Sequence, residues 1–71
     1  MVFQRDLEII ELKRMACADY RDIGNELGIS PNLAAQRANG FARWLPGERE
    51  KALAFLQERI SEQRATAEAS A

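Results

Sequence analysis

Apolar positions recur along the chain at helical intervals. Across Gln4 to Ala16, Leu7, Ile10 and Arg14 share one side, and Ile9, Leu12, Met15 and Ala16 widen it into a broad apolar face. Spacings of three and four predict an amphipathic helix. Asp19 then stands as an N-cap with Asp22 three residues on in a capping-box-like relation, two acids suited to the positive end of a helix. The short helix they open, Tyr20–Leu27, stops at Gly28, which can turn left-handed without a Cβ penalty. Ser30 and Pro31 form a sharper start signal: a good cap, followed by a residue whose missing N–H costs nothing in the first helical position. This third helix has two possible ends. Asn39-Gly40 is a turn signal, whereas Ala42 and Arg43 could continue the pattern past it. Pro46 opens a last helix, with Glu48 and Glu50 in its first turn, running to about Arg64. Residues 65–71 hold no large apolar side chain and are predicted to fray into a flexible tail. The expected fold is therefore all-α: a small bundle of four to five helices in one domain over residues 1–64.

Within that bundle, the stretch from Asp19 to about Asn39 meets the steric demands of a helix-turn-helix. Two short helices crossing steeply need a small residue at the crossing, a glycine at the turn and apolar side chains at fixed inward positions. Gly24, Gly28, and the pair Ile23 and Leu27 satisfy these in turn, and Ile29 plugs the corner between the helices. On the third helix, at about 100° per residue, Ala34, Ala38, Phe41 and Leu45 fall along one stripe. Opposite them lie Asn32, Gln36, Asn39 and Arg43, side chains able to hydrogen-bond base edges; Asn and Gln pair with adenine and Arg with guanine. An amide stripe free of carboxylates suits a base-reading face better than a solvated one, where Glu and Lys dominate. The plainer alternative is an ordinary polar surface.

The run Asp22-Ile23-Gly24-Asn25-Glu26-Leu27-Gly28-Ile29-Ser30-Pro31-Asn32 resembles the helix-turn-helix of bacterial and phage transcription regulators. Asn39-Gly40, a short loop, Pro46 and an apolar helix resemble the continuation in Cro-type repressors. The resemblance spans about Leu7 to Leu56. It implies a homodimer on a palindromic operator, with the helix from Pro31 in the major groove. Tyr20 stands where that family commonly has glutamine, and Ala34 where it has larger β-branched residues.

Charge modifies this picture. The formal net charge is −1 and the pI about 5.4, unlike a strongly basic nucleic-acid binder. Yet no Asp or Glu lies between Leu27 and Gly47, a window that contains Arg37 and Arg43. Ser30, Arg37, Arg21 and Tyr20 are the candidate phosphate contacts, with helix N-termini at Tyr20 and Pro31 aiming N–H groups at the backbone. Arg21 and Arg37 could instead pair with a nearby acid such as Asp22 or Glu26. Trp44 and Phe41 read as core residues.

In the last helix Leu53, Leu56 and Ile60 form an inward stripe, and Phe55 lies some 160° from its centre. An outward phenylalanine flanked by Ala52 and Arg59 predicts a dimer interface. Dimerisation would add burial to a chain short enough to have a marginal core and would set two reading helices about 34 Å apart. With one cysteine and no histidine, neither a disulfide framework nor a Cys/His zinc site can form, and Cys17 reads as a small buried hydrophobe. No nucleophile–base set, paired carboxylates or phosphate loop points to an enzyme, a cofactor or a small-molecule ligand. Without a membrane span or signal-peptide hydrophobic region, the expected compartment is the cytoplasm. The expectation is a DNA-binding repressor whose partners are double-stranded DNA and a second copy. The competing class is a protein–protein module, such as an antitoxin or phage inhibitor, that keeps the fold without binding DNA.

Overall fold

The computed structural model describes residues 4–70, with side chains through residue 68. The first three residues of the expected domain and Ala71 of the expected tail lie outside the described residues. The fold is all-helical with four helices: α1 Leu7–Met15, α2 Tyr20–Leu27, α3 Pro31–Asn39 and α4 Glu48–Ser70.

Each boundary has a local cause. Asp6 caps α1 by accepting the Ile9 N–H, so the helix starts later than the apolar pattern from Gln4 suggests. The turn after α1 places Cys17 at φ 52, exposed and not buried as expected. Asp19 and Asp22 form a full capping box at α2, and Gly28 ends that helix at φ 73. Ser30 Oγ accepts the Leu33 N–H at 3.1 Å to open α3. Gly40, left-handed at φ 86, closes α3, and the N–H groups of Gly40, Phe41 and Ala42 all converge on the Gln36 carbonyl. The helix therefore ends at Asn39 and does not continue to Arg43. Pro46 and Gly47 belong to a turn, since Gly47 has φ 84, and α4 begins at Glu48. At its other end α4 passes the expected stop near Arg64 and stays helical to Ser70, although residues 61–68 are all exposed.

The core is small-residue rich. Ile9, Ala16, Ala18, Ile23, Ala34, Ala38, Ala52 and Leu56 are buried, and five of these eight are alanines. Alanine at the contacts lets helices approach closely but removes little apolar surface per residue. The half-buried Ile10, Leu12, Tyr20, Leu27, Ile29, Trp44, Leu53, Phe55 and Ile60 pack around that centre. Leu7 and Met15, expected on the inner face of α1, are exposed. The same is true of Phe41 and Leu45, at 66% and 54%, because the stripe calculated for them requires a helix that Gly40 has already ended. Trp44 is half-buried, as the reading of it as a core residue requires.

Two polar knots tie the loop between α3 and α4 to the bundle. Asp6 accepts from Trp44 Nε1 at 3.0 Å and Arg49 Nε at 2.7 Å, while its own N–H donates to the Ala38 carbonyl at 2.9 Å. Burial alone would raise the Asp6 pKa. The Arg49 hydrogen bond, the Ile9 N–H, the Arg49 charge and the Trp44 indole outweigh it and hold the carboxyl below its ordinary value. Arg49 also donates to Glu8, and these two acids make its proton still harder to remove. The second knot is Arg37, whose Nε lies 3.0 Å from Glu48 Oε1 and whose Nη1 donates to the Arg43 carbonyl. Glu48 in turn accepts the Leu45 N–H at 2.8 Å.

Candidate nucleic-acid interface

The α2–turn–α3 unit has the close crossing that its glycines imply. A Cβ built on Gly24 would lie 2.6 Å from the Ile29 carbonyl oxygen and 3.2 Å from the Ser30 carbonyl carbon. Only a residue without a side chain lets the turn pass over α2 at this point. Ile29 donates its N–H to the Gly24 carbonyl at 2.9 Å and packs half-buried against the core, as a corner plug should. Ile23 is fully buried and Leu27 partly so. This arrangement is compatible with the expected helix-turn-helix.

The four residues expected to read bases separate into three situations. Asn32 is exposed and Gln36 half-buried, one helical turn apart, and among the described residues neither side-chain amide has a hydrogen-bond partner. Asn39 turns inward: its Nδ2 donates to the Ala35 carbonyl at 2.8 Å and to the Tyr20 hydroxyl at 3.3 Å. That amide serves the α2–α3 contact and is not presented outward. Arg43 lies in the loop beyond Gly40, exposed but off the helix, so it does not share a helical stripe with Gln36.

The expected phosphate contacts divide as well. Arg37 is 8% exposed and ion-paired with Glu48, so it is an internal brace and has no guanidinium to offer a phosphate. Pairing with an acid was the alternative open to Arg37 in the sequence, but the counter-ion is Glu48 of the next helix and not Asp22 or Glu26. Ser30 and Arg21 are exposed, with the Ser30 hydroxyl already capping α3. Tyr20 is half-buried under the Lys13 ammonium, 4.5 Å from the ring centroid, and accepts from Asn39. The N-terminus of α2 is occupied by its own acids. Asp19 accepts the Asp22 N–H at 3.0 Å, and Asp22 accepts the Asp19 N–H at 3.2 Å and the Arg59 guanidinium at 2.9 Å. The Asp19 N–H first, and then Arg59, hold the Asp22 carboxyl below its ordinary pKa. Of the two helix ends, only that of α3 carries a neutral cap.

The residues expected at a dimer interface differ in how far they are taken up within the chain. Ala52 is 0% exposed and forms part of the core. Phe55 is half-buried against that core, with the Arg59 guanidinium 5.3 Å from its ring centroid, and Arg59 pairs with Asp22. The inner face of α4 is centred on Ala52 and Leu56, which brings Phe55 to its border and not to its back. The Asp6–Trp44–Arg49 and Arg37–Glu48 knots were missed in the sequence; Asp6 ahead of an apolar run was the one readable cap signal among them.

Among the described residues no helix is long and apolar enough to cross a membrane, and no cluster of His, Cys, Asp and Glu is placed to hold a metal ion. Comparison with known protein families, with curated proteins and with solved structures returns no match for this chain.

Proposed function

We propose that the chain is a sequence-specific DNA-binding regulator that lays α3 in the major groove. The observation that carries this reading is the pair Asn32 and Gln36, amides with no hydrogen-bond partner among the described residues, on an acid-free helix with a neutral Ser30 cap. Solvated helices favour Glu and Lys, so two amides on an acid-free helix support a role in reading adenine edges. The close crossing at Gly24 supports it by fixing α3 against α2. Arg43 and Arg21, both exposed, supply the cations for phosphate. The protein acts in the cytoplasm as a repressor, covering a palindromic operator as a homodimer. Dimerisation is supported by the exposure of Leu7, Met15, Phe41 and Leu45 in a chain with so alanine-rich a core.

Selection of bound duplexes from a random pool tests the reading, followed by titration of the selected site and of random DNA. Asn32→Ala and Gln36→Ala should each cost about 1–3 kcal/mol on the selected site and little on random DNA. Equal losses on both, or no selected sequence, would overturn it.

A second reading is a protein-binding module that uses the same fold without DNA. The burial of Arg37 and the two carboxylates at the α2 N-terminus favour it, since both subtract from a phosphate-binding surface. A pool that yields no enriched duplex, with a folded protein, would support it.

A further inference from the structure

One helix end of the α2–turn–α3 unit bears two carboxylates, and one residue from outside the unit pairs with one of them. Asp19 and Asp22 occupy the first-turn N–H groups of α2. In a helix-turn-helix on DNA, the first helix crosses the phosphate backbone. A bare carboxylate there repels phosphate at a point where the fold would otherwise attract it. Arg59 reaches this carboxylate from α4, 37 residues further along the chain, and donates from Nη1 to Asp22 Oδ2 at 2.9 Å. The Phe55 ring beneath its guanidinium holds it in that direction, although Glu26, Glu58 and Glu62 line the same shallow cleft.

We propose that Arg59 sets the DNA affinity of the protein without touching DNA, by neutralising the Asp22 carboxylate at the phosphate-facing end of α2. The inference rests on the DNA-binding reading above. It makes Arg59 a positioning and charge-balancing residue, distinct from the base readers on α3. Its effect is the same on specific and random duplexes, because phosphate repulsion carries no sequence information. It weakens as salt screens the field.

A double-mutant cycle on Arg59→Gln and Asp22→Asn tests this, with affinity for a selected duplex and for random DNA measured at low and high salt. Denaturation curves fix conditions in which every variant is folded. Arg59→Gln should weaken binding to both duplexes roughly three- to tenfold at low salt, and the loss should shrink at high salt. Asp22→Asn should strengthen binding by a similar factor, and the double variant should return close to wild type. The remote control Glu68→Gln, about 13 Å further along α4 from Arg59, should change affinity less than twofold and should not rescue Arg59→Gln. A double variant as weak as Arg59→Gln would mean that Arg59 binds phosphate directly, and would overturn the proposal. Rescue by Glu68→Gln would overturn it too, by reducing the effect to net charge. If the wild type binds neither duplex, the DNA-binding reading falls and this inference with it. If it binds and Arg59→Gln changes nothing, only the inference falls.

Discussion

The Trp44 indole N–H donates to Asp6 Oδ2 at 3.0 Å across 38 residues, tying the residue that caps α1 to the loop that follows α3. Arg49 closes on the same carboxylate from α4, so one side chain joins three parts of the bundle. The alanine-rich core gains little from apolar burial, and polar ties of this kind therefore carry more weight in holding α3 in place.

That junction makes stability depend on pH in the acid range. The folded-state pKa of Asp6 lies below its unfolded value, so the unfolded chain binds the proton more readily. The stabilisation is fully present above the ordinary carboxyl pKa and is lost as pH falls through the folded value. Asp22, also shifted down, acts in the same direction. Urea denaturation followed by Trp44 fluorescence should show stability falling below about pH 4. Asp6→Asn should lower stability at neutral pH and flatten this dependence. An unchanged acid limb in Asp6→Asn would remove Asp6 from the account.

Arg37 should behave as a structural residue. Its pairing with Glu48 is nearly enclosed, with side chains 8% and 14% exposed. Removing one member leaves the other charge poorly solvated, so Arg37→Ala should cost about 3 kcal/mol in denaturant unfolding. Arg37→Ala/Glu48→Ala should cost less than the two single changes together, because the double change strands no charge. Strict additivity would show that the two guanidinium and carboxyl groups do not interact.

The starts of α2 and α3 and the turn between them were legible because their signals are local. Asp19 with Asp22, Gly28, and Ser30 with Pro31 each act within four residues, and each works in the structure as the sequence suggests. The C-terminal side of α3 was not legible to the same degree. Whether Gly40 ends the helix or rides within it turns on one φ angle, and every stripe calculated beyond it follows that choice. Phe41 and Leu45 are exposed instead of inward, and Arg43 lies off the helix, for this single reason. Arg37 was misjudged for a different one. Its partner lies eleven residues away across a loop, and periodicity carries no information about such pairs. On α4, Ala52 showed where the inner face lies, but an alanine contributes so little to an apolar pattern that Leu53 and Ile60 outweighed it.

Gly24 and Gly28 should both resist substitution, the first through crowding and the second through backbone geometry. Gly24→Ala puts a methyl group 2.6 Å from a backbone oxygen that cannot swing aside. The loss should be about 1–3 kcal/mol, despite alanine's better helix propensity. Nothing lies within 4 Å of a Cβ on Gly28, so Gly28→Ala suffers only from its φ of 73, about 1–2 kcal/mol. Gly28→Asn should recover part of that loss, since asparagine tolerates the left-handed region, and Gly24→Asn should recover nothing. Thermal melts of the four variants check this. A Gly24→Ala variant as stable as wild type would show that the turn can lift away from α2.

Arg43 is the sharpest discriminator of how the loop after α3 is used. It stands exposed in a segment that Arg37 grips by the Arg43 carbonyl, so its backbone is held. Under the proposed reading a cation in this loop should meet phosphate and not a base, because Gly40 ends the helix that carries Asn32 and Gln36 before Arg43 is reached. Arg43→Ala should therefore weaken binding to selected and random duplexes alike. The slope of log K against log salt should become less negative by about 0.9, the value for one phosphate contact. Arg37→Ala, compared at a temperature where it remains folded, should leave that slope unchanged. A changed base preference in Arg43→Ala would place its guanidinium in the groove. An unaltered slope would remove it from the DNA interface.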